Sequence, residues 1–473
     1  MKILLLNTPS PQVVIRDYFC SKTTKSNYLF HPVDLVVLSG TLASRHEVQV
    51  LDAVAERLDD AAASERIEDF DPEVVLALVG SVSWDTDRAF LKDQAARGRR
   101  VLAIGDVLHE ASEARLGEED WLEAALHVFA NEDVLHYLDA AYDPNSRTPA
   151  LPELDAVEDM TVRGPDRAPQ RLLRVERKHR KGGFRVPRPR HELFPDKGYH
   201  FSFARSKNFA TVLTDYGCPY PCTFCVIGTL GFQTRPVEDV LEEIDALRER
   251  GVAEVFFMDQ TFGVVRERGL ELCEAFAERG DLSWTAYTRP DVADDEMLSA
   301  MKRGGCHTVI LGVESADDEL LAAYKKGYRS HVVADSFRRA KRHGLRTVGT
   351  FIIGLPEETE DSLARTLDLA VGLDMDFMSL NMAVPRFGTP FRAQALELGL
   401  ADENDLVMDQ GGADAFLPTR TLDRDTMVAM KKRMVRRFYL RPGYLWRRMT
   451  GVKSFWELGA QAREGLALLK RNV

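Results

Sequence analysis

The chain has 473 residues, 45% of them hydrophobic and 29% charged, with a formal net charge of -12. A globular protein of roughly two to four domains fits these values, and a disordered or collagen-like chain does not. The acidic balance argues against a general nucleic-acid binder, and no apolar run approaches the roughly 18 residues that span a bilayer.

The opening MKILLLNTPSP couples a short apolar run to a proline-broken polar segment. It reads as a first strand and loop rather than a secretory leader, which predicts a cytoplasmic protein. Cysteine usage agrees: the six stand at 20, 218, 222, 225, 273 and 306, three of them inside eight positions, unlike a disulfide framework. Cys273 and Cys306 sit in apolar patterns and read as core. Cys20 lies in a loop and has no assigned role.

Residues 1–145 alternate strands and helices. Strands are predicted at Lys2 to Asn7, Glu47 to Leu51, Val74 to Val79 and Arg100 to Ile104, with a weaker strand or helix end at Glu123 to Val128. Helices are predicted at Leu35 to Arg45, Asp85 to Arg97 and Val134 to Leu138. The alternation predicts an α/β domain with a parallel open sheet covered on both faces. Its ligand rim is the set of loops at the strand C-terminal ends, Asn7–Pro11, Asp52–Ala53, Gly80–Trp84 and Gly105–Val107. Neither a G-x-G-x-x-G after the first strand nor a G-x-x-x-x-G-K-[ST] is present.

Residues 146–205 are punctuated by Pro149, Pro152, Pro165, Pro169, Pro187, Pro189 and Pro195 and carry the basic run RLLRVERKHRKGGFRVPRPR. They read as a linker, either an extended connector wrapping the acidic remainder or a contact for RNA or anionic lipid.

In residues 206–390 a strand, Thr211 to Thr214, runs into DYGCPYPCTFCVIG. Cys218, Cys222 and Cys225 stand at C-x3-C-x2-C spacing in the loop that follows. Three thiolates can hold three irons of a cubane cluster and leave the fourth open. Zinc would want a fourth Cys or His nearby, and the following residues offer none. Further strands are predicted at Ala253 to Met258, Leu282 to Tyr287, Thr308 to Val313, Arg346 to Ile353 and Asp376 to Met382, with helices between them. Six strand–helix units make a partial (β/α)6 barrel, whose chemistry belongs at the strand C-terminal ends. Asp259, Arg289, Glu314, Ser315 and Gly354 stand there. Each has a plainer role open to it: a loop cap for Asp259, a surface arginine for Arg289, a salt-bridge partner for Glu314, a turn for Gly354. Residues 391–473 are predicted to be a helical tail, with DRDTMVAMKKRMVRRFYLRPGYLWRRM forming an amphipathic helix that ends before Pro442. Its aromatic and methionine residues read as packing, and its basic–aromatic character allows peripheral membrane contact.

The cysteine triplet in its strand–loop context resembles the radical SAM superfamily. The resemblance implies a [4Fe-4S] cluster on Cys218, Cys222 and Cys225, with S-adenosylmethionine bound at the open iron and cleaved to a 5'-deoxyadenosyl radical. It places Phe224 near adenine, Asp259 near the methionine amine or the substrate, and Arg289 as a carboxylate clamp. It makes GVES, with Glu314 and Ser315, a ribose-recognition segment, and GTFIIGLPEET, with Gly349 and Gly354, the backbone that meets adenine. Lys326–Gly327 matches a family loop without an assigned role. The segments LLLNTPSP, HPVDLVVLSGTLASRHEVQVLDA and VGSVSWD resemble the cobalamin-binding domain that precedes many radical SAM barrels. That implies a corrinoid near Ser81, Ser83 and Gly105. The family's D-x-H-x-x-G is missing, and His31, His46 and His109 read as loop or helix residues, so no lower histidine ligand is expected. FYLRPGYL resembles the class of the Mg-protoporphyrin ester cyclase and hopanoid-modifying enzymes. Together these imply cobalamin-dependent methylation of an unactivated carbon in a small molecule or lipid, served by an electron donor such as flavodoxin or ferredoxin. The alternatives are radical rearrangement, cyclisation or oxidation, or a non-enzymatic corrinoid or iron–sulfur carrier. A tRNA methylthiotransferase would bring three more N-terminal cysteines, whereas only Cys20 precedes Cys218 here.

Overall fold

The computed structural model of the chain describes residues 1–473 except 25–27, 142–153, 165, 253, 407–408, 412–416, 452–458, 460–461, 463–464 and 466–473. The chain divides into two compact units. The first comprises 1–23, 29–199 and 229–246, and the second comprises 24–28, 200–228 and 247–473.

The first unit is built on a seven-stranded sheet. Its strands are β1 (Lys2–Asn7), β2 (Glu47–Asp52), β3 (Val74–Val79), β4 (Arg100–Gly105), β5 (Leu122–Leu126), β6 (Asp159–Arg163) and β7 (Pro169–Leu173), in the order β2-β1-β3-β4-β5-β6-β7. The first five strands in that order run parallel. The central strand, VVLALV, is buried at every position, as a parallel strand covered on both faces requires. Helices Val33–Ala43, Asp60–Phe70, Trp84–Ala96 and Asp133–Ala141 alternate with the strands.

β6 and β7 run antiparallel and lie inside the stretch that reads as a connector. They are short and flanked by proline and glycine, which hides them from periodicity, and Pro169 opens the edge strand where a missing N–H is tolerated. The basic run is not a free charged ribbon either. Arg180 pairs with Glu158 at 2.6 Å, and Arg185 reaches Glu238 at 3.0 Å and Asp239 at 2.5 Å. Buried Glu243 accepts from His191 at 2.7 Å and from Arg235 at 2.6 Å. The 145/146 boundary, Pro149, Pro152 and Pro165 lie outside the described residues.

The second unit holds six parallel strands in chain order. They are β8 (Phe209–Val212), β9 (Glu254–Phe257), β10 (Ser283–Thr288), β11 (Cys306–Glu314), β12 (Arg346–Ile353) and β13 (Phe377–Met382). Helices Arg266–Arg279, Asp295–Arg303, Ser330–Arg342 and Glu360–Gly372 connect them, which is the partial (β/α)6 barrel that the repeats predict. Cys273 and Cys306 are buried in it as core.

The tail forms helix Arg424–Tyr439 and a second helix, Pro442–Gly451, that Pro442 opens rather than excludes. Met427, Met430, Met434 and Phe438 are buried, so the spacing in the first of these helices is packing, whereas Trp446 in the second is 66% exposed. Tyr439 donates to the Met378 carbonyl at 2.7 Å and Tyr444 to that of Asp376 at 2.9 Å, which docks the tail on the last strand. Among the described residues no helix is long and apolar enough to cross a membrane.

Where β3 and β4 end, their backbones nearly touch. A Cβ on Gly105 would lie 1.8 Å from the Val79 carbonyl oxygen. A backbone neighbour cannot swing aside, so Gly105→Ala is expected to destabilise the first unit by about 3 kcal/mol. Chemical denaturation checks this, and an unchanged midpoint would contradict it.

Candidate functional site

The site in the second unit starts from a carboxylate. Asp259, just past β9, is fully buried and accepts from the Thr214 N–H and hydroxyl, each at 2.6 Å, and from the Asp215 N–H at 2.9 Å. It thereby staples the chain leaving β8 to the end of β9. Arg268 closes the node, donating to Asp215 at 2.7 Å and to the Thr214 carbonyl at 3.1 Å. Burial, and then the Asp259 charge, hold Asp215 above the usual carboxylate range.

From this anchor the chain turns into the cysteine loop. The Cys225 N–H donates to the Cys222 carbonyl at 3.1 Å, and the Cys218 sulfur lies 3.9 Å from the Thr261 hydroxyl. Burial, and then the neighbouring Cys222 and Cys218 thiols, push the Cys225 thiol up to about 12. Among the described residues no three His, Cys, Asp or Glu side chains converge as ligands of a single ion.

Two cations face the loop. Arg289, past β10, donates to both Asp291 oxygens at 2.9 and 2.8 Å, to the Lys326 carbonyl at 2.7 Å and to the Cys222 sulfur at 3.8 Å. Its fork, which the sequence offers as a carboxylate clamp, is filled by Asp291. Lys326 donates to Glu314 at 2.7 Å and stands 5.5 Å from the Phe224 ring centre. Burial opposes the Lys326 charge, but Glu314 overrides it and holds the ammonium above the ordinary lysine value.

Glu314 ends β11 at φ 62°, a strained value for a residue with a side chain, and the pairing with β12 skips a residue there. Gly312 makes room for the ion pair, because a Cβ at that position would lie 2.8 Å from the Glu314 carboxylate and 3.1 Å from the Lys326 ammonium. The Ser315 hydroxyl accepts from the Asp317 N–H at 3.1 Å and lies 3.3 Å from that of Thr366. Gly354, at φ 94°, and Leu355 present their N–H groups to buried Glu358. Phe224 packs beside Leu320, Tyr324 and Leu355. The structure thus brings Phe224, Arg289 and Glu314 together around Cys222 and Lys326. Asp259 stands beneath the cysteine loop, and Ser315 and Gly354 lie along the neighbouring strand ends. The sequence marks Lys326–Gly327 as a family loop without a role, and the structure gives Lys326 one as the partner of Glu314.

The rim of the first unit is held the same way. Asp106 accepts from the N–H and hydroxyl of Ser81, at 2.8 and 3.1 Å, and from those of Ser21, at 2.6 and 2.9 Å. Ser83 donates to Asp87 at 2.8 Å and accepts from buried Arg16 at 2.9 Å, while Arg16 pairs with Asp87 at 2.7 Å. The hydroxyls of Ser81 and Ser83 therefore organise the rim from within. His109 packs at a tilt on Tyr18, ring centres 4.1 Å apart, and reaches its carbonyl. His31 packs at a tilt on Tyr199, ring centres 3.8 Å apart, and burial, then the His191 charge, bring its pKa down to about 3. Several buried polar side-chain atoms in this unit lack a hydrogen-bond partner, among them the Asp34 Oδ2 acceptor and the Asn131 Nδ2 donor. An acceptor and a donor left over in this way fit a ligand with a fringe of amides, as a corrinoid has.

The model of the Radical SAM superfamily matches residues 212–370. Over 459 residues the chain is 28% identical to an uncharacterized methyltransferase of Pyrococcus horikoshii, covering 94% of each. Among solved structures it is similar to the radical S-adenosylmethionine methyltransferase TsrM of Kitasatospora setae, solved with cobalamin and a [4Fe-4S] cluster bound. The TM-score is 0.66 at 17% identity over 99% of each chain. It is also similar to OxsB, a cobalamin-dependent S-adenosylmethionine radical enzyme, at TM-score 0.66 and 14% identity, over 99% of this chain and 72% of that one. At such identities the likeness is one of fold: a mixed-sheet domain, a radical SAM-type partial barrel and C-terminal helices. It is shared with these two enzymes and does not single out the ester-cyclase class that the tail resembles.

Burial pushes the Glu358 carboxyl up from 4.5 to about 8, against the two N–H groups it accepts from. The folded chain keeps a proton there that the unfolded chain has lost, so the stability from this group is full at low pH and falls as pH rises from about 4.5 to about 8. Glu358→Gln is expected to flatten that decline, with a melting temperature a few degrees above the unaltered protein near the upper limit and equal to it near the lower. An equal difference at both ends would contradict the assignment.

Proposed function

We propose that this chain is a radical S-adenosylmethionine enzyme that binds cobalamin and methylates an unactivated carbon of a small-molecule or lipid substrate. The observation that carries the proposal is the C-x3-C-x2-C loop, anchored by Asp259 at the C-terminal edge of a six-stranded parallel partial barrel. The likeness in fold to two cobalamin-dependent radical enzymes and the name of the Pyrococcus horikoshii relative support the cobalamin and methyl-transfer parts.

The three thiols fit a [4Fe-4S] cluster, and Cys218, Cys222 and Cys225 would hold it. Glu314, Ser315 and the strand end at Gly354 would receive S-adenosylmethionine, with Phe224 beside its adenine. The first unit would hold the corrinoid along the rim of Ser81, Ser83 and Gly105. When bound, the reduced cluster supplies the electron that opens S-adenosylmethionine, and the corrinoid supplies the methyl group. The residues of the chain orient these groups: Lys326 fixes Glu314, Asp259 fixes the loop, and the buried apolar walls exclude water.

Anaerobic reconstitution with iron, sulfide and hydroxocobalamin tests the proposal. The unaltered protein is expected to take up a full [4Fe-4S] complement and a corrinoid. The variant with Cys218, Cys222 and Cys225 all replaced by Ala should lose the cluster and keep the corrinoid. A full cluster in that variant would overturn the ligand assignment. A protein that takes up no corrinoid would overturn the methylation reading and leave rearrangement or oxidation on the same barrel.

A further inference from the structure

We propose that Arg289 is a positioning residue for the iron–sulfur cluster, holding a fixed N–H and a positive charge against the Cys222 sulfur and so raising the reduction potential of the cluster. The inference rests on the cluster reading above and goes beyond it.

The geometry is that of a locked side chain. Nε and Nη2 donate to the two oxygens of Asp291, and Nη2 donates also to the Lys326 carbonyl. The guanidinium lies 3.5 Å from the ring centre of Tyr220 and 5.0 Å from that of Tyr328, which fixes its plane between two aromatic faces. Those partners leave the Nη1 edge turned to Cys222, at 3.8 Å from Sγ, a hydrogen-bonding distance for sulfur. The arginine side chain is only 5% exposed, so solvent screens its charge little.

The consequence follows from charge alone. Reduction adds an electron to a cluster whose thiolates already carry negative charge. A nearby guanidinium stabilises the reduced form more than the oxidised form, and an N–H donated to a cysteine sulfur acts in the same direction. Asp291 offsets part of that charge, but it lies on the far side of the fork and is itself 31% exposed. The filled fork also separates this role from a carboxylate clamp, which needs two parallel N–H groups on one edge: Asp291 takes the Nε–Nη2 edge and the Lys326 carbonyl takes the remaining Nη2 N–H. Lysine could supply the charge but not the rigid fork that Asp291 and the Lys326 carbonyl hold.

The test is an EPR-monitored redox titration of the reconstituted protein, with iron and sulfide analysis on each sample. R289Q is expected to hold the same cluster as the unaltered protein, with its reduction equilibrium shifted at least tenfold toward the oxidised form, about 59 mV for one electron. R289K should recover part of the shift. D291N, which keeps the arginine and removes the negative charge that offsets it, should move the equilibrium the other way, toward the reduced form. An R289Q protein that keeps its cluster and its equilibrium overturns the inference. If R289Q does not assemble a cluster, an unmoved equilibrium in both R289K and D291N overturns it instead. An unaltered protein that takes up no cluster overturns the underlying reading, a result separate from all of these.

Discussion

The site in the barrel depends on one buried carboxylate. Asp259 gathers the N–H and hydroxyl of Thr214 and the N–H of Asp215, the groups that β8 leaves unpaired where the sheet stops. Buried backbone donors must find partners, and here the partner belongs to the next strand of the barrel. The cysteine loop therefore leaves the sheet from a fixed point, with Arg268 closing the node from the helix behind. From there Cys222 meets Arg289, Arg289 meets the Lys326 carbonyl, and Lys326 meets Glu314. A single chain of polar contacts thus runs from the proposed cluster to the proposed cofactor site.

The first unit uses the same device. Asp106, just past β4, takes the N–H and hydroxyl of Ser81 at the end of the neighbouring β3, as Asp259 takes those of Thr214. In both units a carboxylate after one strand ties down the turn after the adjacent strand, at the edge where parallel sheets place their ligands. The hairpin formed by Val14–Ile15 and Lys22–Thr23 is drawn into this network through Ser21 and Arg16. A Cβ on Gly80 would strike the Ser21 side chain at 2.6 Å, so glycine is what lets that segment close on the rim.

Much of this was legible in the sequence, for identifiable reasons. β1, β3 and β4 are unbroken apolar runs, and the structure places them within a residue of where periodicity does. The cysteine triplet could be read because its spacing has little structural use other than a cluster. β6 and β7 were not legible, because five-residue strands among prolines carry no periodic signal and owe their place to pairing with β5. The partners of the two carboxylate nodes were hidden, although Asp259 itself was open to reading as a loop cap: they lie 25 to 85 residues away, and most are backbone groups that no motif records. Arg289 shows the limit from the other side. Its position at a strand end marked it as functional, but Asp291, two residues on, decides which of its N–H groups remain to be used.

In the proposed enzyme three cysteines hold a cluster whose fourth iron is open to S-adenosylmethionine. The most direct measurement is the low-temperature EPR spectrum of the dithionite-reduced, reconstituted protein before and after S-adenosylmethionine is added. The account predicts a reduced [4Fe-4S] signal whose g-values move when the amino and carboxylate groups of the cofactor reach the open iron. A cluster signal that stays unchanged at saturating S-adenosylmethionine would contradict it.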